Sequence, residues 1–144
     1  MIWKQKPNLA LLNAFSKNTL NETLSIELIE IGDDFLTARM PVDHRHVQPF
    51  RILHGGANVV LAETLGSVAS GLCMENFEKT MAVGVEINAN HLRSVSEGGS
   101  VVGTVRAVKI GRTMHVWNIE IRDEKDGKLS CVSRLTCAIV ERRG

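Results

Sequence analysis

The stretch HGGANVVLAETLGSVASGLC, residues 54–73, is a long apolar run with a single carboxylate in its middle. It opens on a histidine and two glycines, and its length and composition predict one long helix. Val59 and Val60 lie one turn before Glu63, and Gly66 and Ser67 lie one turn after it. An ionised carboxylate on an apolar helix is costly to bury without compensation. Glu63 therefore either points to water or has a task that requires its position.

Length and composition restrict the class of protein. The chain has 144 residues, 44% hydrophobic and 23% charged, which predicts one globular domain over residues 1–144. A formal net charge of +1 gives no basic surface for nucleic acid, and the few scattered tryptophans and phenylalanines do not suit base stacking. The first residues lack the apolar run of a signal peptide, and no uncharged apolar stretch reaches the roughly 18 residues of a membrane helix. We therefore expect a cytoplasmic protein with no nucleic-acid or membrane partner.

Neither the cysteines nor the histidines form a strong metal-binding pattern. Cys73, Cys131 and Cys137 are odd in number and have no Cys-x-x-Cys spacing, which predicts three buried, reduced thiols. His44 and His46 form a His-x-His pair in a loop, which is weak evidence for a metal site. We interpret that segment as a surface loop, and we expect neither a metal ion nor a cofactor.

Periodicity divides the remaining chain into helices and strands. Leucines at helical spacing predict a short N-terminal helix over residues 8–17. Residues 24–31 and 35–42 predict two strands joined by a turn, and a loop spans residues 43–53. Beyond the long helix, alternating patterns predict four more strands, around residues 81–87 and over residues 100–110, 114–123 and 129–140.

This element order predicts an α+β domain in which one antiparallel sheet wraps around a long central helix. Such a sheet would bury the helix on most sides, which explains its apolar character nearly all round. At about 100° per residue, one small and polar face is expected, formed by Gly56, Glu63, Gly66, Ser67 and Ser70. A groove of small residues around one carboxylate suits a bound substrate. No Lys or Arg stands three or four residues from Glu63 to pair with it on the surface.

The run QPFRILHGGANVVLAETLGS, residues 48–67, resembles the signature of the hotdog-fold acyl-CoA thioesterases. The branch it resembles is that of the 4-hydroxybenzoyl-CoA thioesterases of the Arthrobacter type and the phenylacetate-pathway thioesterases. The similarity extends over nearly the whole chain to the 1,4-dihydroxy-2-naphthoyl-CoA hydrolases of menaquinone biosynthesis, through the segments MIWK, IGDD, MPVD, EINANHLRS and SRLT. This resemblance implies the hotdog fold and the hydrolysis of an acyl-CoA thioester.

The residues themselves suit that chemistry. Gly55 lies at the expected helix N-terminus, where a free backbone N–H can stabilise an oxyanion. The amide of Gln48 could donate to the same oxygen, and His54 could bind the carbonyl or the leaving sulfur. Glu63 could act as a general base on water or attack directly to form an anhydride, and Ser67 could orient the carboxylate or the water. The resemblance gives these same roles to all five residues.

One position departs from the family pattern. Arg51 stands where the family usually has a glycine, three residues before the histidine. That position needs unusual backbone angles or lines the acyl pocket. Arg51 could narrow the pocket, recruit an acidic acyl group, or face solvent without consequence.

The binding of CoA is less clearly encoded. The resemblance makes residues 90–94 a contact for the nucleotide or the pantetheine, and an Arg side chain suits phosphate. Residues at the predicted strand break after residue 110 could donate hydrogen bonds to the same cofactor, and a glycine within a strand would let a substrate approach closely. A plain hairpin turn and solvated arginines are the alternative. The candidate binding residues are Gly84, His91, Leu92, Arg93, Ser94, Gly111, Arg112 and Thr113.

Geometry predicts that two subunits share each active site. Gly55 and Glu63 are eight residues apart, which is about 12 Å along a helix. Both must reach the same thioester, and one glutamate side chain cannot span that distance. Two antiparallel helices related by a two-fold axis solve the problem, and the resemblance implies the same homodimer, often paired into a tetramer.

The leading hypothesis is therefore a metal-free thioesterase for an aromatic or bicyclic acyl-CoA. The alternatives are a non-catalytic acyl-CoA-binding domain, a hotdog-fold hydratase, and a broad-range hydrolase of medium- or long-chain acyl-CoA. The hydrolases alone release free thiol from an acyl-CoA. Ser67 and Ser70 lack the Gly-x-Ser-x-Gly elbow of a serine hydrolase.

Overall fold

A computed structural model describes the helices and strands of the whole chain, residues 1–144. The first half contains the short helices α1 (Leu9–Ala14) and α2 (Leu20–Thr23), strands β1 (Glu27–Ile31) and β2 (Phe35–Pro41), and the long helix α3 (Gly55–Cys73). The second half contains strands β3 (Thr80–His91), β4 (Ser100–Ile110), β5 (Met114–Asp123) and β6 (Leu129–Glu141). No helix is both long enough and apolar enough to cross a membrane.

The N-terminal helix is shorter than predicted. The side chain of Asn8 caps α1 by accepting a hydrogen bond from Leu11 N at 3.0 Å, and the helix ends at Ala14 rather than residue 17. Asn18 then adopts a left-handed conformation with φ of 60°, which asparagine tolerates better than most residues. This break separates α1 from α2, a second short helix that lies beyond the predicted residues 8–17 and was not predicted.

All six strands form one antiparallel sheet in the order β1-β2-β4-β5-β6-β3. The last three strands form a meander, whereas β3 pairs with β6 and not with its neighbour in sequence, β4. Strand β3 also runs to His91, four residues beyond its predicted end. It therefore forms one edge of the sheet over a length of 12 residues.

Helix α3 packs against the sheet, as the sequence predicts. Leu61, Leu65 and Ala69 are fully buried and form the helix side of the core. The packing is close, since a Cβ added to Gly103 of β4 would lie 2.8 Å from Leu65 Cδ1. The three cysteines are buried and free, which confirms their predicted state.

One stripe of α3 is not covered by the sheet. Gly56 and Glu63 are exposed on this stripe. The other residues of the open stripe are half-buried, and they are Val59, Val60, Thr64, Ser67, Val68 and Gly71. The expected enclosure of the helix on most sides is therefore incomplete within one chain. This open stripe contains the carboxylate that the sequence singles out.

Candidate active site

The loop before α3 is anchored by His46, whose side chain is completely buried. Its Nε2 lies 2.7 Å from the carbonyl oxygen of Leu24, and its Nδ1 accepts from the backbone N–H of Asp43 at 3.2 Å. The main chain of the loop continues this connection, because His54 N donates to His46 O at 2.8 Å. His46 therefore fixes the path of the loop, whereas His44 is exposed. No cluster of three or more metal-binding side chains exists in the chain.

The N-terminus of α3 presents unpaired donors. His54 caps the helix, since its Nδ1 accepts from Gly56 N at 2.8 Å. That hydrogen bond leaves the proton of the neutral ring on Nε2, as a donor to the outside. The N–H of Gly55 donates to no acceptor in the chain. Gln48 accepts a hydrogen bond from Phe50 N through its Oε1. Its NH2 group donates to no acceptor within the chain.

Arg51 adopts a left-handed backbone with φ of 62°, which is the conformation that favours glycine. This explains the glycine that the family usually has here. The guanidinium forms two hydrogen bonds to the Glu97 carboxylate, at 2.9 and 2.7 Å. The Arg51 side chain is thereby held against the turn before β4, and it does not pair with any group of the open stripe.

His91, at the end of β3, lies against the start of α3. A Cβ added to Gly55 would lie 2.7 Å from His91 Nε2, so the His91 ring packs closely on this glycine. The resemblance to the thioesterase family implies a CoA contact for His91. The structure places it next to the unpaired N–H of Gly55.

Glu63 and Ser67 lie in a groove of about 330 Å³ along the open stripe. Glu63 makes no hydrogen bond or ion pair within the chain, although small and apolar residues surround it. Its carboxyl carbon would lie 3.6 Å from a Cβ added to Gly84, so the glycine of β3 leaves room beside the carboxylate. The structure thus brings Gly84 to Glu63. The groove is lined by Leu20, Asn21, Val59, Val60, Glu63, Thr64, Ser67 and Val68.

Two predicted members of the polar face lie elsewhere. Gly66 packs on the sheet, where an added Cβ would lie 2.4 Å from Leu135 Cδ2. Ser70 is fully buried, and its Oγ accepts from Trp117 Nε1 at 2.6 Å and lies 3.1 Å from His115 Nδ1. Because the sheet is curved, it covers some positions of α3 and leaves open others that are close to them on a helical wheel. Ser70, only 20° from Glu63 on such a wheel, therefore faces the core. Grouping these two residues with Glu63 was wrong.

The candidate CoA contacts do not form one cluster in a single chain. One group follows the end of β3, beside the β6 residue Cys131, and its residues are exposed: His91, Leu92, Arg93 and Ser94. The other group is the turn between β4 and β5, beside the β6 residue Ala138, and consists of Gly111, Arg112 and Thr113. Seven residues of β6 separate those positions, which is about 23 Å along a strand. Arg93 has one long contact, 4.0 Å from Nη2 to Asp126 Oδ2. Gly111 closes the hairpin, since its N donates to Met114 O at 2.8 Å.

The buried thiols do not offer a competing nucleophile. Burial raises the pKa of both Cys73 and Cys131 to about 11, and it also raises the pKa of Cys137. These thiols are therefore protonated at neutral pH and have little nucleophilic thiolate. Among the candidate catalytic groups, Glu63 is the exposed carboxyl group.

Proteins similar to this chain in sequence and fold include thioesterases. The family model of the Thioesterase superfamily matches residues 50–130. The chain is 54% identical to the 1,4-dihydroxy-2-naphthoyl-CoA hydrolase of Escherichia coli strain K12, covering 97% of this chain and 100% of the relative. It is 48% identical to the proofreading thioesterase EntH of Cronobacter turicensis, covering 97% and 99%.

A solved structure supports the same assignment. The crystal structure of a mutant thioesterase from Pseudomonas aeruginosa superposes with a TM-score of 0.94 at 48% identity, covering 99% of this chain and 100% of that chain. The chain therefore belongs to the thioesterase superfamily, as a thioester hydrolase with the hotdog fold.

Proposed function

We propose that the protein hydrolyses the thioester of an aromatic or bicyclic acyl-CoA, with Glu63 as the reactive carboxylate. The observation that carries this proposal is the position of Glu63, exposed and unpaired in a groove of small and apolar side chains. The relative from Escherichia coli supports 1,4-dihydroxy-2-naphthoyl-CoA, an intermediate of menaquinone biosynthesis, as the first substrate to test.

The unpaired donors at the start of α3 suit the carbonyl of the thioester. Gly55 N–H and the NH2 of Gln48 would stabilise negative charge on the carbonyl oxygen as the tetrahedral intermediate forms. His54 has its Nδ1 occupied by Gly56 N. Its Nε2–H is then the donor to the carbonyl oxygen or to the departing sulfur.

Glu63 would then supply the base or the nucleophile. As a base, it takes a proton from water while the water oxygen attacks the carbonyl carbon, the C–S bond breaks, and the CoA thiolate is protonated. As a nucleophile, it forms an acyl anhydride with release of CoA, and water cleaves the anhydride. Both routes give the acid and free CoA. Ser67, one turn along α3, would orient the carboxylate or the water.

We propose that each site combines two subunits. The donors and the carboxylate lie at opposite ends of an eight-residue span of α3, about 12 Å. An antiparallel partner helix on the open stripe would bring Gly55 of one subunit to Glu63 of the other. The long edge of β3 supports this dimer, because an uncovered edge strand is a surface for pairing. Two such dimers would form the tetramer that the resemblance implies.

The same two-fold arrangement would reconcile the separated CoA contacts. Within one chain, Arg93 and Arg112 lie beside opposite ends of strand β6. An antiparallel partner would place the end with Arg112 beside the end with Arg93, so both subunits would contribute contacts to one CoA. Arg93 would bind phosphate, since its guanidinium has only one long contact in the chain.

The test is thiol release by the Glu63→Gln variant. We expect kcat to fall by about a hundredfold or more, because the amide keeps the shape but cannot act as a base or nucleophile. Binding of acyl-CoA and thermal stability are expected to persist, since the carboxylate has no partner within the chain. Free thiol would be measured with 1,4-dihydroxy-2-naphthoyl-CoA, benzoyl-CoA and a series of alkyl-CoA esters.

Glu27→Gln, on the exposed edge of β1, is the matched control and should keep wild-type turnover. Near wild-type turnover in Glu63→Gln would show that the carboxylate is not catalytic. The substrate series separates the aromatic hydrolase from a broad-range hydrolase of medium- or long-chain esters, which would show no preference for the aromatic substrates.

A further inference from the structure

A second groove, of about 410 Å³, continues from the groove of Glu63 toward the N-terminal segment. The two grooves share Asn21, Ser67 and Val68, so a molecule can extend from the carboxylate into the second groove without leaving the surface. Its volume lies within the range of roughly 300–1,000 Å³ that is typical of small-molecule sites. Its apolar walls include Leu11, Leu12, Phe15, Val68, Leu72 and Phe77.

Asn21 is the polar side chain at the junction of the grooves. Thr64, the residue after Glu63, donates from Oγ1 to Asn21 Oδ1 at 2.8 Å. This is the only side-chain hydrogen bond of either residue, so it fixes the amide plane and leaves the NH2 group of Asn21 without an acceptor. Asn21 is half-buried, and an apolar molecule seated in the second groove would remove water from that NH2 group.

The loss of water determines which ligand is preferred. A buried amide N–H without an acceptor is unfavourable, whereas one that donates to an oxygen is stabilised. An acyl group with an oxygen substituent near Asn21 would supply that acceptor. An unsubstituted ring of the same shape would leave the NH2 group unpaired.

We propose that the second groove receives the acyl group of the substrate, and that Asn21 selects hydroxylated aromatic acyl groups by donating a hydrogen bond to a ring oxygen. This inference rests on the proposed function and names the residue that would recognise the ring oxygen of its substrate. Thr64 is the residue that orients Asn21. The thioester then lies between the acyl group and CoA, beside Glu63.

The experiment compares kcat/KM for benzoyl-CoA with that for its 2-, 3- and 4-hydroxy derivatives. We expect the wild-type enzyme to prefer at least one hydroxylated isomer to benzoyl-CoA. In Asn21→Leu, which has a similar size and no donor, this preference should fall about tenfold, the effect of losing one hydrogen bond to a buried group. Asn118→Leu, on exposed strand surface away from both grooves, is the matched control and should keep the wild-type ratio.

Thr64→Val gives an independent measurement if Asn21→Leu does not fold. Without the Thr64 hydroxyl the amide can rotate, so the preference should fall by a smaller factor than in Asn21→Leu. A wild-type enzyme with no preference for any hydroxylated isomer, or variants that both keep the wild-type ratio, would overturn the proposal. Absence of thiol release from every ester would instead contradict the proposed function.

Discussion

The two sides of helix α3 contain similar residues, but Ser70 on one side and Glu63 on the other differ in their hydrogen bonding. On the side that faces the sheet, Ser70 is buried and bonded to Trp117, with His115 beside it. On the open stripe, Glu63 has no partner in the chain, although Ser67 stands one turn away. Glycine also occurs on both sides, at Gly66 and Gly56.

This difference separates a polar side chain that contributes to packing from one that is exposed to a ligand or a second subunit. Buried polar groups in proteins are almost always hydrogen-bonded. Ser70 on the sheet side follows that rule, whereas Oδ1 of the buried Asn58, near the start of α3, has no hydrogen-bond partner. The open stripe instead combines an unpaired carboxylate with half-buried apolar side chains. Such a surface is suited to a substrate and a second subunit.

The largest expected effect concerns the subunits that meet on the open stripe. A Glu63→Ala variant and a Gln48→Ala, His54→Ala variant should each be inactive alone. After subunit exchange, a mixed dimer contains one site with all three groups and one site that lacks them, so activity should return toward half of the wild-type value per dimer. Thiol release by purified mixed dimers, carrying different affinity tags, would measure this recovery.

A mixture of Glu63→Ala with wild-type protein, exchanged in the same way, is the control for subunit exchange itself. If mixed dimers form and stay inactive, the two halves of the site do not come from different subunits. The open stripe of α3 would then not be the surface on which two subunits form a shared site.

The next largest effect is a difference in the free energy of unfolding between substitutions on the two sides of α3. Leu65→Ala removes a fully buried side chain and should lower the free energy of unfolding by about 2–5 kcal/mol. Val59→Ala, on the open stripe, should cost about 1 kcal/mol or less in the separated subunit. Its effect should grow with protein concentration, because association is what covers this residue.

Urea unfolding at several protein concentrations measures both variants. Equal and concentration-independent losses for Leu65→Ala and Val59→Ala would mean that the stripe is already buried within one chain. That result would contradict the open surface described for α3.

The smallest expected effect is on the pH dependence of stability, and it involves His115, which lies beside the buried Ser70. Burial lowers the pKa of His115 below its ordinary value, so the unfolded chain binds a proton more readily than the folded one. Stability is therefore fully present above pH about 6.5, the ordinary pKa of histidine, and is lost as the pH falls below it. In His115→Phe the melting temperature should depend less on pH between about 5 and 7.

His44→Asn, at an exposed histidine, is the matched control and should keep the wild-type pH dependence. Thermal unfolding at a series of pH values gives the comparison. An unchanged slope in His115→Phe would show that this histidine does not contribute to the acid sensitivity of the fold.

Local patterns predicted most of the secondary structure but not the order of the strands. The turn at residues 32–34 and the break at Gly111 are correctly placed, because each depends on a few neighbouring residues. The pairing of β3 with β6 was not predicted. It depends on contacts between residues about 40 to 60 positions apart, which leave no short-range pattern.

The candidate site shows the same division. The segment from Gln48 to Ser67 is contiguous, so its residues could be named from the sequence and its resemblance to a family. Asn21 could not, because its partner Thr64 is 43 residues away. The left-handed backbone of Arg51 was one of the alternatives raised by the missing glycine, and the structure decided between them.

The sequence by itself determined the central helix, the identity of its one carboxylate and the donors at its start, because these follow from local periodicity and from one contiguous motif. Only the tertiary structure decided which side of the helix stays open. That choice depends on how a six-stranded sheet curves around α3, with Gly66 and Ser70 against the sheet and Glu63 beyond its reach. Packing of distant segments, not helical periodicity, separates a buried polar group from an exposed one.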